Sequence, residues 1–459
     1  MRSQLEHSLV AKTLQNDPSF IKAKEQILAA VKKHSQSIQA IRPPKSDLVQ
    51  SYEKTIKQFE KYRSIPLFYP YLGSGIGNGA LVELADGSVK YDFISGIGAH
   101  FGHSHPMLIS AAIDAAIQDI AVEGNLQQNV DGFKLTEKLI EASGLDHCFL
   151  TNSGAMANEN ALKLIFQKKA PAHRLLAFDR CFMGRTLALS QITDRPAFRE
   201  GLPHNILVDY VPFYNWQQPK KSTESAIAAL EKLLKRYPNQ YGAMCFEMIQ
   251  GEAGFYPGKH EFFMALIQIL KAHNVAVLVD EVQTFGRTDH LFAFQSFGLQ
   301  GRVDIVTLGK LMNTCATLFT REFRPKAGLI SQTFTAATSS IRCSTAIIDS
   351  LLNEDYLGHE GKNMKLRKHF VNHLLRLANT FPDRFEGPFG HGLMIGCTPF
   401  KGDREKVLAF CRALFAEGVI TFAAGTFPTR LRFLVPAGGV RFEDIDEVVR
   451  ILERLLSKL

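Results

Sequence analysis

Apolar positions in this chain follow two rhythms, one helical and one of short unbroken runs. Over residues 19–33, Phe20, Ile27, Leu28 and Val31 recur at helical spacing, and after a break at Arg42-Pro43-Pro44 residues 48–62 resume it. These stretches predict a pair of N-terminal helices. Next comes Tyr71-Leu-Gly-Ser-Gly-Ile-Gly-Asn-Gly79. A glycine fingerprint for a dinucleotide must follow a strand and open a helix. Here the chain runs on into residues 80–84, an Asp86-Gly87 turn and residues 89–94, which together read as a β-hairpin. The glycines are therefore read as a flexible loop leading into that hairpin, and dinucleotide binding is set aside.

From about residue 95 the two rhythms alternate. Short apolar runs at 148–151, 175–178, 207–211, 243–247, 275–280 and 304–308 predict strands. Between and before them lie helical stretches at 107–118 (with Pro106 at its start), 132–143, 155–168, 224–236 and 261–273. Asp131 is the expected cap of the second of these and Gly144 its end. Strands apolar throughout and separated by helices predict an α/β fold with a mostly parallel sheet covered on both faces. Beyond about Ala336 come a long helical stretch, strands near 392–397 and 431–435, and an amphipathic helix over 442–456, a smaller α+β unit. The expected division is residues 1–95 (helical extension and hairpin), 96–335 (large domain) and 336–459 (small C-terminal domain).

Composition narrows the class. With 459 residues the chain exceeds one compact core. No apolar run approaches the roughly 20 residues that span a bilayer, and the first residues lack a signal-peptide core. A cytoplasmic enzyme with no membrane partner is the expectation. Seven cysteines are scattered without a CxxC pair, which argues against structural zinc and against a disulfide framework. The net charge of +8 is concentrated: residues 1–64 hold twelve Lys/Arg against six Asp/Glu, so the remainder carries only +2. No basic run is interleaved with aromatics as on a nucleic-acid surface, so no nucleic-acid partner is expected.

In an open α/β sheet ligands sit beyond the carboxyl ends of the strands, and three groups fall there. Thr151-Asn-Ser-Gly-Ala155 joins a strand to a helix, and its free N–H groups, the Ser153 hydroxyl and the helix N-terminus suit a phosphate. Asp280 and Glu281 end an apolar strand, and Lys310 follows another. Each has an ordinary explanation: a helix cap, an acidic N-cap, a solvated lysine. Together they suit pyridoxal phosphate, which needs an anion site, a carboxylate to keep its ring nitrogen protonated and a lysine to hold its aldehyde as a Schiff base. That lysine must be neutral, against an ordinary pKa of about 10.4, so burial and nearby positive charge have to favour the free amine.

Over about residues 70–450 the chain resembles the class III pyridoxal-phosphate aminotransferases, the ω-amino-acid transaminase group. The stretches that carry the likeness are Tyr91-Asp-Phe-Ile-Ser-Gly-Ile-Gly98 with Gly102-His-Ser-His-Pro106; Thr151-Asn-Ser-Gly-Ala-Met-Ala-Asn-Glu-Asn-Ala-Leu-Lys163; Phe182-Met-Gly-Arg-Thr186; Glu247-Met-Ile-Gln-Gly-Glu252; Val279-Asp-Glu-Val-Gln-Thr284 with Gly286-Arg-Thr288; Asp304-Ile-Val-Thr-Leu-Gly-Lys310; and Arg432-Phe433. The resemblance implies a fold type I transferase. It implies that Ser153, Gly154 and Ala155 bind the cofactor phosphate, Phe182 stacks on the ring, Asp280 pairs with the ring nitrogen and Gln283 lies near the ring hydroxyl. Lys310 would form the Schiff base and carry the proton. Thr333 matches a threonine that reaches the phosphate of a neighbouring subunit, which implies a homodimer with shared sites. Arg432 matches the arginine that grips the α-carboxylate of glutamate, and Glu252 the residue that neutralises it while an ω-amine is bound. Arg185 matches a position that binds a distant carboxylate, and Glu247 a further carboxylate of the site.

The chain departs from the family pattern at Met183, where histidine is common, and at Met248, where proline is usual. It also lacks the glycine-rich run after the lysine, reading Leu311-Met-Asn-Thr-Cys-Ala316. That stretch is similar to the 4-aminobutyrate and lysine ε-aminotransferase branch. The expected activity is transfer of a terminal amino group, from a donor such as 4-aminobutyrate, lysine or ornithine, to 2-oxoglutarate. An aminomutase, decarboxylase or racemase of the same class, or an inactive paralogue, is the alternative, since fold alone does not fix function.

Overall fold

The structure, a computed structural model, describes residues 9–94, 100–118, 121–122 and 125–458. Residues 95–98 of the first family block lie outside the described residues. At the centre is a seven-stranded sheet in the order His147–Thr151, Cys315–Phe319, Ile305–Leu308, Ala276–Glu281, Tyr241–Phe246, Arg174–Phe178, Leu207–Val211. Six of these are the strands expected from sequence. The seventh, Cys315–Phe319, runs antiparallel between Ile305–Leu308 and His147–Thr151. It escaped the sequence reading because it returns directly from Lys310–Met312, a single helical turn, with no intervening helix to mark it off. The other ladders are parallel.

Each face of this sheet has its own apolar layer. Leu175, Ala177, Ala243 and Cys245 pack with Ala161, Leu164 and Ile165 of helix Gly154–Lys169. Their neighbours Leu176, Phe178, Met244 and Phe246 face the other way, into a layer with Leu230, Phe262, Phe263 and Leu266 from helices Pro219–Arg236 and His260–Ala272. Successive strand residues point to opposite faces, so a strand covered on both sides must be apolar at every position. The unbroken apolar runs in the sequence have this cause.

Two expectations are corrected. The glycine-rich stretch is not a loop: Gly73–Asn78 is a strand paired antiparallel to Leu81–Leu84, with its register broken between Gly73 and Gly77. A Cβ on Gly77 would lie 2.4 Å from both the His103 Cβ and the Leu81 carbonyl oxygen, so close approach explains that glycine. Helix Val130–Ser143 is capped by Asn129, whose side chain accepts from the Gly132 N–H at 2.8 Å, while Asp131 instead bonds Arg342 Nε at 2.8 Å. Gly144 ends that helix in the left-handed conformation as expected.

Towards the C-terminus, Phe385–His391, Met394–Pro399, Arg430–Leu434 and Phe422–Ala424 form an antiparallel sheet in that order. Helices Lys362–Thr380 and Phe442–Lys458 flank it. The N-terminal hairpin strand Val89–Asp92 pairs in parallel with Val419–Ile420, joining the hairpin to this C-terminal region. Met394–Pro399 and Arg430–Leu434 are the two strands expected there; Phe385–His391 is interrupted by glycine and proline, and Val419–Ile420 and Phe422–Ala424 are too short for periodicity to mark them. None of the helices among the described residues is long and apolar enough to cross a membrane.

Candidate active site

Three strand ends of the large sheet converge. Gly309 follows Ile305–Leu308, and a Cβ there would lie 3.0 Å from Cys315 Sγ and 3.1 Å from Val282 Cγ1. Gly154, the first residue of helix Gly154–Lys169, is pressed on the same valine, with an added Cβ only 2.7 Å from Val282 Cγ1. The helix N-terminus is thereby drawn against the ends of the two strands that carry Asp280 and Lys310. Ser153 caps this helix, its hydroxyl accepting from Met156 N–H at 3.2 Å, and a helix's first-turn N–H groups, which have no intrahelical partner, favour an anion.

Asp280 is buried. One carboxylate oxygen accepts from Asn158 Nδ2 at 2.7 Å and the other from the Val282 N–H at 2.8 Å. Burial pushes its pKa up, opposed by those two hydrogen bonds and by the charge of Lys310. Asn158 is held in turn by Thr307, which donates to its Oδ1 at 2.8 Å, and it donates to the Met183 carbonyl at 2.8 Å. Asn158 and Thr307 were not singled out from sequence. The available signal was a pair of asparagines, Asn158 and Asn160, among the otherwise apolar buried positions of a helix, and a lone threonine in an apolar strand.

Lys310 takes left-handed backbone geometry (φ 46°), uncommon for a residue with a Cβ. Among the described residues no carboxylate lies within ion-pair distance of its amine. Desolvation, then the charge of Arg432, depress its pKa to about 8, against the opposing pull of Glu252, Asp280 and Glu247. Both effects shift the amine towards the neutral form that the cofactor requires. Arg432, on strand Arg430–Leu434, is buried and forms a 2.8 Å ion pair with Glu252. Desolvation alone would raise the pKa of Glu252; the charge and hydrogen bond of Arg432, with Lys310 and Arg195 behind them, hold it below its usual value. Glu247 is also buried and accepts from the Phe182 and Gly251 N–H groups at 3.0 and 2.9 Å. Desolvation, then Asp280, raise its pKa to about 8.

Other positions lie around this centre. The Phe182 ring meets Phe198 edge-on at 6.5 Å, and exposed Arg185 lies over the Phe198 ring at 3.9 Å. Arg195, absent from the sequence expectations, lies 5.9 Å from that ring and donates to the Glu252 carbonyl at 2.8 Å. Gln283 is buried with its Oε1 unpartnered, and a Cβ on Gly251 would fall 1.9 Å from that oxygen. Thr333 is exposed. Its neighbours Gln332 and Phe334 lie beside the phosphate loop of the same chain, through Thr151 Oγ1 to Gln332 Oε1 at 2.7 Å and Asn152 Nδ2 to the Phe334 carbonyl at 3.4 Å.

Residues 74–456 match the model of the aminotransferase class-III family. The chain belongs to this family. Among class III relatives, the acetylornithine aminotransferase of Methanocaldococcus jannaschii is 28% identical over 405 residues, spanning 83% of this chain and 93% of the relative. Acetylornithine aminotransferase 1 of Bradyrhizobium diazoefficiens is 30% identical over 402 residues, spanning 84% and 93%. The lysine aminotransferase from M. tuberculosis superposes with a TM-score of 0.76 at 20% identity, over 88% of this chain and 99% of that one. The fold is therefore that of the fold type I pyridoxal-phosphate enzymes, and the chain is a class III transaminase that uses pyridoxal phosphate. The residues present fit that cofactor. Among the described residues the site offers a capped helix N-terminus, a buried carboxylate with two hydrogen-bond donors, a lysine with a depressed pKa and a Gln283 oxygen without a partner.

Proposed function

We propose that this class III aminotransferase moves a terminal amino group from an ω-amino acid or diamine to 2-oxoglutarate, working as a homodimer. Pyridoxal phosphate, bound here, supplies a carbonyl that captures the amine and a protonated ring that draws electrons from the reacting carbon. The N–H groups of Ser153, Gly154 and Ala155 hold its phosphate at the helix N-terminus. Asp280, oriented by Asn158, would keep a proton on the ring nitrogen, and Gln283 would offer its oxygen to the ring hydroxyl. Phe182 would cover the ring. Lys310 would anchor the cofactor and, as a free amine, would take up and give back the proton of the substrate carbon that bears the amino group. Glu247 fixes the Phe182 and Gly251 backbone from beneath. Thr333 reaches the phosphate region from a dimer partner, and Arg185 meets a distant carboxylate at the mouth.

The observation that carries the substrate reading is the ion pair between buried Arg432 and half-buried Glu252, both of which act on Lys310. A bidentate arginine suits the α-carboxylate of glutamate, and a glutamate able to cancel it suits an ω-amine that brings only a CH₂ group there. The acetylornithine aminotransferases among the relatives support donors of the ornithine type. The test is glutamate production from 2-oxoglutarate with ornithine, acetylornithine, lysine, 4-aminobutyrate, β-alanine and putrescine offered singly. At least one should outrun α-alanine by a wide margin. If none yields glutamate while α-alanine does, the reading fails.

A further inference from the structure

In the C-terminal region, helices Lys362–Thr380 and Phe442–Lys458 pack side by side. Their inner faces are apolar, with Phe370 and Leu374 on one and Val449 and Leu452 on the other fully or almost fully buried. Just outside that seam the first helix carries His369 and His373, four residues apart and so on one face. Asp446 of the second helix points between them. One oxygen, Asp446 Oδ1, lies 2.7 Å from His369 Nε2 and 3.0 Å from His373 Nε2, and the three potential ligand atoms all fall within 4.8 Å of one another.

We propose that His369, His373 and Asp446 form a binding site for a divalent transition-metal ion of the zinc type, clamping the two helices together. The ligand set decides the class. Two imidazoles and one carboxylate suit zinc, nickel or copper, whereas magnesium and calcium require mostly oxygen ligands. Zinc bonds of about 2.0–2.2 Å in tetrahedral geometry set ligand atoms about 3.3 Å apart. The two spacings to Asp446 Oδ1, 2.7 and 3.0 Å, would have to open by about 0.6 and 0.3 Å to reach that value, and the two imidazole nitrogens already lie within 4.8 Å of each other, shifts within the reach of side-chain rotation. The fourth position faces water, since the histidine side chains are 30% and 31% exposed.

The surroundings hold this geometry in place. Phe370 and Leu374, each directly after a ligand histidine, are locked in the core, which fixes the spacing of the two imidazoles. Phe442 packs on His369 with ring centres 4.9 Å apart. Two turns along, Arg376 makes a double hydrogen bond to Glu453 at 2.8 and 2.9 Å, bracing the same helix pair. A metal here loses little freedom of the protein on binding, because the frame is already built. It would take the neutral imidazoles, releasing any proton they carry.

The test uses the holoenzyme, stripped with a chelator and dialysed near neutral pH against Zn²⁺ or Mg²⁺. Wild type should retain one more equivalent of zinc than His369→Gln, His373→Gln or Asp446→Asn, with affinity in each variant weaker by about tenfold or more. Its Tm should rise with Zn²⁺ and not with Mg²⁺, and the variants should lose that rise. Independently of any variant, Zn²⁺ should protect His369 and His373 from acylation by diethylpyrocarbonate, read by peptide mass. Equal zinc content in wild type and variants, or histidines that stay reactive in saturating zinc, would overturn the proposal and leave Asp446 as a plain hydrogen-bond acceptor for two imidazoles.

Discussion

The guanidinium of Arg432 lies 2.8 Å from the carboxylate of Glu252, and the two act on Lys310 with opposite signs: Arg432 depresses the lysine pKa and Glu252 raises it. Whatever breaks that pair changes both the charge presented to a substrate carboxylate and the protonation of the lysine. The site is one electrostatic unit, and its parts are testable separately.

Uptake of pyridoxal phosphate by cofactor-free protein should follow the neutral fraction of Lys310. The rate should climb with pH to a midpoint near 8, where an ordinary lysine would need about 10.4. Arg432→Gln removes a positive neighbour and should move the midpoint up, whereas Glu252→Gln removes a negative one and should move it down. The pH dependence of the second-order uptake rate measures all three. A midpoint indifferent to both substitutions would show that Lys310 does not sense the pair.

Asp280→Asn leaves the shape of the site but not the charge that keeps the ring nitrogen protonated. The loss of turnover should exceed the roughly 10²- to 10⁴-fold typical of a single proton-transfer group. Asn158→Ala acts one step back, freeing an Asp280 oxygen and stranding the Thr307 hydroxyl. One such bond is worth about 1–3 kcal/mol, or about 5- to 150-fold in kcat if fully felt in the transition state. As a positioning residue, Asn158 should change kcat more than KM. The opposite split would assign it to stability alone.

How much of this was legible beforehand follows from chain connectivity. Residues 151–155, Asp280 and Lys310 each end or follow an apolar strand, and that local pattern suffices to set them beyond strand ends of a mostly parallel sheet. Asn158 was hidden because its meaning lies in a contact 122 residues away, which no local window contains. Arg195 was hidden likewise, since only the folded chain sets it behind Glu252. Cys315–Phe319 and Gly73–Asn78 were missed because one lacks a flanking helix and the other is glycine at every second position, with a single apolar side chain, Ile76, to mark a strand.

Gly154→Ala should weaken cofactor binding without touching any polar group. The new methyl would sit 2.7 and 2.8 Å from the two γ carbons of Val282, so the helix N-terminus has to back away from the phosphate region. Val282→Ala in the same chain removes both carbons and should restore much of the affinity. Cofactor dissociation constants for the single and double variants check this. If the double variant binds no better than Gly154→Ala, the close packing is not what demands the glycine.

The Arg432–Glu252 pair should behave as a switch that lets one pocket accept two unlike substrates. Glutamate brings an α-carboxylate next to its reacting carbon, whereas an ω-amine brings CH₂. A permanently bare Arg432 would serve the first and leave a buried charge unpaired beside the second, which is costly. In the structure Glu252 cancels that charge, and of the two it is the more exposed, with a side chain 26% exposed against 3% for Arg432. Withdrawal of Glu252 when glutamate arrives is therefore the easier movement. Arg432→Lys should damage the glutamate/2-oxoglutarate half-reaction far more than the ω-amine half-reaction, because an ammonium lacks the planar fork that grips a carboxylate. Glu252→Gln should shift preference the other way, raising activity on α-amino acids relative to ω-amines. Single-turnover kinetics of each half-reaction in both variants decide the matter. Equal losses in the two half-reactions would make Arg432 and Glu252 ordinary structural partners.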